Sequence, residues 1–498
     1  MGRIRPVTET HPAYDFLVYK DGNYYKVQDG ESLGKVYKFK DPSEAIEFAI
    51  RTSNGGRVYL DKGTYLLSRE ISNRFYDDFP RKFTLEGAGK STVLKRCDQV
   101  EQLLASDLSS GDTQIELQDV TGLQVYQKIY IMDDDSGTYY GDLRTITNIN
   151  GNEITVDQGV ERDYSVTKNA KVMTAFPLIA IDAKSSPEWK AEGVTIKNIA
   201  FDGNKDNNQN VSGDYGALSF QVTGLPNHNE VLIENCIFYN NPKRTVMLQN
   251  GYIIFAHNFI LDSGEYGIIA FWGAQVIIVG NYVRDCTNAG IENFYSKKTL
   301  IANNLVENCT DGILFFRNAY EETPALISSN IIYNVSESGI GVNGGFANII
   351  GNQCVGNKYG IKIDSGQYVN ISNNWCQENE FGVYLSSGLD ETIKVHLNIL
   401  YNNSLGSIYL GSSLPKIFKN EGFTSESSGE ATITAGNTYV EVSHGLDITP
   451  DINKFKIVPK DNLDGRSYWI SDITSSSFRI NISSSDTIDH VFGWSYQN

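Results

Sequence analysis

From Asn235 to about Asn403 the apolar positions fall in short runs of β-branched and aromatic residues, such as Val276-Ile277-Ile278-Val279 and Ile313-Leu314-Phe315-Phe316, with Gly and Asn between them. No capped stretch of ten or more residues carries the three-four spacing of an amphipathic helix, so the runs predict strands. Two markers keep time along this region. A Gly followed by a β-branched residue recurs as Gly267-Ile268, Gly290-Ile291, Gly312-Ile313, Gly339-Ile340, Gly360-Ile361 and Gly382-Val383, at steps of 23, 22, 27, 21 and 22 residues. Asn235, Asn258, Asn281, Asn304, Asn330, Asn352, Asn374 and Asn398 step by 23, 23, 23, 26, 22, 22 and 24. A fixed period of this size marks a solenoid whose repeats bury their apolar faces on one another, and it is too short for paired helices. Three short strands per repeat predict an all-β chain wound as a parallel β-helix, with rungs roughly 4.8 Å apart. The recurrent Asn suits a turn through its tolerance of left-handed backbone angles, and stacked Asn side chains can hydrogen-bond along the coil.

The pattern changes outside this region. Residues 1–40 read as a Tyr-rich lead-in with a hairpin about Asp21-Gly22-Asn23. Asp41-Pro42-Ser43-Glu44 is a helix start, and Ala45, Ile46, Ala49 and Ile50 form a stripe that Asn54-Gly55-Gly56 ends, giving an N-terminal helix placed to cap the first rung. The coil then occupies 41–424, interrupted at about 101–176 by alternating strands such as Thr113–Leu117 and Glu153–Val156, a small antiparallel β insertion. About 14 extra residues after Asp202-Gly203-Asn204 read as a projecting loop, and 425–429 as a linker. Residues 430–498 alternate as a small C-terminal antiparallel β-sandwich, in which Trp469 and Trp494 are expected in the core, with stacking on sugar rings as the alternative.

Composition narrows the partners. The formal charge is −18, with 60 acidic and 42 basic residues, which disfavours nucleic acid and anionic membrane but leaves a glycan open. No run of 18 apolar residues and no signal-peptide pattern is present, so a soluble chain is expected: mature, intracellular, or exported within a larger particle. Cys286 and Cys309 share a repeat position, as do Cys354 and Cys376, and buried thiol packing is preferred over bridging. No metal or other cofactor is expected, with Ca2+ at Asp133-Asp134-Asp135 as the one alternative to a solvated turn.

Candidate chemistry follows from alternation. With the β-branched residue after Gly facing inward, two columns face outward: Met247, Ile269, Glu292, Leu314, Gly341, Lys362 and Tyr384, then Gln249, Phe271, Phe294, Phe316, Asn343, Asp364 and Ser386. Phe271, Phe294 and Phe316 therefore form an external ladder with Trp272, Tyr295 and Arg317 at the strand ends. Such a ladder requires a cover, either a sugar chain or a further subunit. Asp262 and Asp285 share a turn position one rung apart, which would bring their carboxylates to about 5 Å; Glu265, Asp311 and Glu337 lie near. The expected catalytic group is Asp285, Glu292, Asp311 and Arg317, with Lys362 and Asp364 as a second site. Phe271, Trp272, Phe294, Tyr295, Phe316 and Asn343 are the expected substrate contacts.

Gly55-Gly56-Arg57-Val58-Tyr59-Leu60, Gly63-Thr64-Tyr65, Leu85-Glu86-Gly87-Ala88-Gly89, Phe201-Asp202-Gly203-Asn204, the capping helix and the Asn ladder together resemble the pectate lyase-like superfamily of right-handed β-helices, over residues 41 to about 415. That resemblance implies a carbohydrate groove on the outside of the Gly-Ile strand. The paired-Asp and His-Gly motifs of its polygalacturonases and the Asp-Pro-His motif of its epimerases are absent, so no catalytic residue transfers. The lead-in and C-terminal module look like those of bacteriophage or virus tailspikes, often homotrimers that bind and cut surface polysaccharide. The expected function is thus a polysaccharide depolymerase, a glycosidase or a polysaccharide lyase, at an extracellular or virion surface. A non-catalytic adhesin or structural fibre, with the Phe ladder as a subunit interface, is the alternative.

Overall fold

The computed structural model describes residues 13–30, 35–76, 78–137, 140–182, 191–208, 218–221, 230–316, 324–411 and 415–497. The chain forms two compact units, Met1–Arg317 and Asn318–Asn498.

In the first unit the predicted hairpin pairs Phe16–Asp21 with Tyr24–Asp29, and its first strand also runs parallel to Arg57–Leu60, so the lead-in enters the coil directly. Helix α1 (Pro42–Ser53) starts where the Asp41 carboxylate accepts from the Glu44 amide at 3.0 Å and stops at Asn54, whose φ is 45°. Its stripe of Ala45, Ile46, Ala49 and Ile50 is fully buried. Glu47 is buried as well, held by both Arg69 guanidinium nitrogens at 2.9 and 2.7 Å; burial raises its pKa against the pull of Arg69. Between Glu101 and Thr174 lies a six-stranded antiparallel sheet with its own core around Leu104, Ile129, Ile146 and Val172. A buried Lys128–Glu70 ion pair of 3.0 Å ties this insertion to the segment after α1. Of its acidic run, the Asp133 carboxylate accepts from the Ser136 amide at 2.8 Å, that of Asp134 from Asn169 at 2.6 Å, and Asp135 pairs with Lys168.

The rest of the first unit is a parallel coil. Val246–Ala256 pairs with Ile268–Val279, which pairs with Ala289–Phe294, which pairs with Asp311–Phe316, all parallel and in the expected register. Val246, Ile268, Ile291 and Ile313 form a fully buried inward row. Asn258, Asn281 and Asn304 form the interior ladder: each backbone N–H of Asn258 and Asn281 donates to the next Asn Oδ1 at 2.9 and 3.0 Å, and the Nδ2 atoms of Asn281 and Asn304 reach back to the carbonyls of Phe255 and Ile278. The left-handed residue of these turns is the one before the ladder Asn, at His257 (φ 56°), Gly280 (67°) and Asn303 (55°). The ladder Asn is selected by its hydrogen bonds rather than by its backbone angles.

The second unit repeats this winding. Ser338–Asn343, Tyr359–Ser365, Phe381–Leu385 and Gly406–Leu410 pair in parallel, with Ile340, Ile361 and Val383 buried inward. Asn330, Asn352, Asn374, Asn398 and Asn420 make one ladder, and Asn357, Asn379 and Asn403 a second. The six cysteines of the chain are free thiols. The C-terminal module has two three-stranded antiparallel sheets around Phe478, Ile480, Phe492 and Trp494. The expected linker differs: Ser427–Ile433 is already a strand, paired antiparallel with His490–Tyr496. Trp494 lies in the core as expected, whereas Trp469 is 47 % exposed.

One departure from simple alternation recurs on the Gly-Ile rungs. The Gly before the inward Ile also faces the interior, where a side chain has no room: a Cβ on Gly290 would meet Val306 Cγ1 at 2.4 Å, and one on Gly339 the Gly360 carbonyl oxygen at 2.6 Å. None of the Gly-Ile glycines has a positive φ among the described residues, so close approach and not backbone freedom demands glycine there. With two successive residues facing in, the residue before the Gly faces out. A third column results, Arg244, Tyr266, Ala289 and Asp311 in the first unit, and Ser338, Tyr359 and Phe381 in the second, in which the small Ala289 and Ser338 are buried.

Candidate active site

In the first unit Ile269, Glu292 and Leu314 are register partners, and so are Phe271, Phe294 and Phe316. The three phenyl rings are half-buried and stack: Phe271 and Phe294 have centroids 5.3 Å apart at 14°, and Phe294 and Phe316 are 5.9 Å apart at 55°. Tyr295, turned at a φ of 61°, packs 4.2 Å from Phe294. Asn293 faces inward, fully buried, and its Oδ1 accepts from the Thr299 hydroxyl at 3.1 Å. Arg317 and the Trp272 side chain lie outside the described residues.

Glu292 is the centre of a carboxylate group. It is only 6 % exposed, and burial pushes its pKa up to about 7, with Glu265 and Asp311 adding repulsion and Arg244 opposing. Arg244 Nε lies 3.4 Å from Glu265 Oε2, and its guanidinium sits 5.5 Å from the Tyr266 ring centroid. The Tyr266 hydroxyl is pushed up to about 12 by burial and then by the charges of Glu292 and Glu265. The third column explains this convergence. Arg244, Tyr266 and Asp311 belong to it on different rungs, Glu265 adjoins it, and Ala289, the small member, stands on the same strand as Glu292.

Two expectations need correction here. Asp285 does not join this group: at a φ of 57° in its turn it is half-exposed, paired with Arg284 at 3.4 Å and accepting from Asn308 at 3.3 Å. Asp262 has the same φ and pairs with Lys205 at 2.7 Å, so each aspartate sits in a left-handed turn with its own cationic partner. Their places are taken by Glu265 and Arg244. Arg244 was not legible as a candidate because alternation carried back from Val246 through Thr245, both fully buried, puts it on the wrong side.

In the second unit Lys362 pairs with Asp364 at 2.9 Å, and Asp364 also accepts from the Ser386 hydroxyl at 2.9 Å. Asn343 does not share the Asp364 row. A bulge after Val342 sets it opposite Ser365, whose hydroxyl donates to Asn343 Oδ1 at 2.8 Å. Beside them is an open cleft of about 320 Å3 lined by Gly344, Gly345, Phe346, Asp364, Gly366 and Gln367. An aromatic cluster that alternation only half revealed flanks Lys362: Tyr384 and Tyr409 stack at 4.4 Å and 7°, Tyr359 lies 4.8 Å from Tyr384, and Lys362 Nζ is 5.4 Å from the Tyr359 centroid. Among the described residues, no group of three or more His, Cys, Asp or Glu is placed to hold a metal ion, and no helix is long and apolar enough to cross a membrane.

A family profile described as right handed beta helix region matches residues 179–323, and one described as periplasmic copper-binding protein (NosD) matches 271–443. No curated protein matches. Similar solved structures include the Pseudomonas phage phi297 tailspike gp61, 11 % identical, covering 91 % of each chain with a TM-score of 0.35. The Gp54 tailspike of Acinetobacter baumannii bacteriophage AP22, solved with a capsular saccharide, is 12 % identical and covers 92 % of this chain and 93 % of its own, with a TM-score of 0.35. The A-module of the Azotobacter vinelandii mannuronan C-5 epimerase AlgE6 is 13 % identical and covers 76 % of this chain and 95 % of its own, with a TM-score of 0.39. The right-handed parallel β-helix assignment rests on the strand pairing and the family profile.

Proposed function

We propose that this right-handed β-helix protein binds a polysaccharide along its outer wall and hydrolyses a glycosidic bond beside Glu292, acting outside a cell or at a virion surface. The observation that carries the reading is a buried carboxyl with a pKa near neutrality, set next to two further carboxylates and a ladder of phenyl rings. A carboxyl protonated near pH 7 is suited to donate a proton to the leaving glycosidic oxygen. Asp311, on the next rung, then serves as the base on water or as the nucleophile. Glu265 keeps the Glu292 proton in place by repulsion, and Arg244 sets how strongly. The phenyl ladder offers flat apolar faces to pyranose rings.

Hydrolysis fits the described residues better than β-elimination. Elimination from a uronate needs positive charge at the substrate carboxylate, whereas among the described residues Arg244, the arginine beside Glu292, Glu265 and Asp311, is engaged with Glu265. Lys362, which with Arg317 is a candidate base for an elimination, is held by Asp364. The carboxylates gathered around Glu292 favour a neutral or amino-sugar glycan as the substrate class.

The test is Glu292→Gln, assayed for reducing ends released from a panel of neutral and amino-sugar polysaccharides. The expected result is a loss of about 10²–10⁴ in rate with the fold intact; full activity would remove Glu292 from the mechanism. Phe316→Ser separates this reading from a fibre or adhesin. It should weaken glycan binding at unchanged particle mass, and a trimer that falls to monomer would make the ladder an interface instead.

A further inference from the structure

The C-terminal module carries a feature that the Glu292 chemistry does not use. Its sheet of Tyr439–Ser443, Ser477–Ile482 and Tyr468–Ser471 turns Val442, Phe478, Ile480 and Ile482 into the core. On the opposite face Tyr439, Asn481 and Trp469 form one row, because Asn481 is the register partner of both aromatic residues. Tyr439 is 48 % and Trp469 47 % exposed. The next row is Glu441, Arg479 and Ser471. There Arg479 lies over the Tyr439 ring at 4.6 Å and pairs with Asp472 at 2.9 Å and Glu441 at 3.8 Å, while Asn481 Nδ2 donates to the Ser471 hydroxyl at 3.0 Å.

We infer that this face is a second glycan-binding platform, which takes an extended β-1,4-linked pyranoside chain across the strands. Two strand spacings put the Tyr439 and Trp469 positions about 10 Å apart, the distance over which such a chain advances two sugar units, so both rings can stack on alternate sugars. Asn481 lies beneath the sugar between them, and Arg479, Glu441 and Asp472 offer donors and acceptors to hydroxyl groups along one side. A second copy of the chain is the weaker occupant, because interface centres are depleted of charge and this face runs an ion-pair network beside both rings. An aromatic pair exposed to this degree, with polar groups between and beside the rings, matches a ligand that is apolar on its ring faces and polar at its edges.

The test uses the full-length protein and measures binding of cellohexaose, mannohexaose and chitohexaose by calorimetry, with Glu292→Gln as the background so that cleavage does not intrude. At least one hexasaccharide should bind, and Trp469→Ala and Tyr439→Ala should each weaken it about tenfold, the effect of roughly one lost stacking contact. Trp469→Phe should retain most of the affinity, and the melting temperature and particle mass should not change. Binding that is unaffected by Trp469→Ala, binding of none of the three hexasaccharides, or a Trp469→Ala variant that changes particle mass overturns the proposal. Hydrolytic activity is read separately in the native background, so a failed platform and a failed Glu292 mechanism give different results.

Discussion

A single carboxyl, Glu292, shows how position on the coil sets chemistry. Its burial and its acidic neighbours favour the protonated form, and the sign of each neighbour is testable. Glu265→Gln removes a repulsion and should move the alkaline limb of the pH–rate profile to lower pH; Arg244→Gln removes an attraction and should move it to higher pH. The same shift bears on stability. The carboxyl is raised in the fold from an ordinary 4.5 to about 7, so the native state holds a proton that the unfolded chain has released, and stability declines as pH rises between those values. Denaturant titrations from pH 4 to pH 8 should show a loss of at most about 3 kcal/mol that Glu292→Gln removes. Glu292 itself was legible, since it follows an inward Ile on a strand set by the Gly-Ile beat. Its arginine was not, because alternation does not announce that two successive residues, Thr245 and Val246 on its own strand, both face inward. The setting of Asp285 was less legible: a repeated acid suggested a shared site, while the structure places it in a left-handed turn beside Arg284.

At the level of the strand and its turns, two requirements recur along the coil. The Gly that precedes the inward Ile is there for space, so Gly290→Ala should lower stability by about 1–3 kcal/mol through overpacking against Val306. The ladder Asn is there for its hydrogen bonds. Asn281→Ala would leave the Asn258 N–H and the Phe255 carbonyl without their partner, costing about 2–5 kcal/mol in thermal or urea unfolding. Both requirements are written into the sequence as spacing, which is why the winding, the strand direction and the inward row could be read in advance. The bulge at Asn343 and the start of the C-terminal module at Ser427 could not, since each depends on which partner a strand finds rather than on its own pattern.

For the molecule as a whole, the charge of −18 discriminates among substrates. A polyanionic glycan would meet long-range repulsion that salt screens, and its binding would strengthen with ionic strength; the neutral substrate proposed here should bind with little change between about 0.01 and 0.15 M salt. An affinity that climbs with salt would point to an acidic polymer. The glycine row has a wider consequence. The demands of winding fall mainly on the inward rows, so the more exposed members of the external files, unlike the buried Met247, Ile269 and Glu292, carry less duty to the scaffold, and selection can rewrite them one storey at a time. A lineage built this way could exchange one sugar coat for another through a handful of replacements, without ever passing through an unstable ancestor.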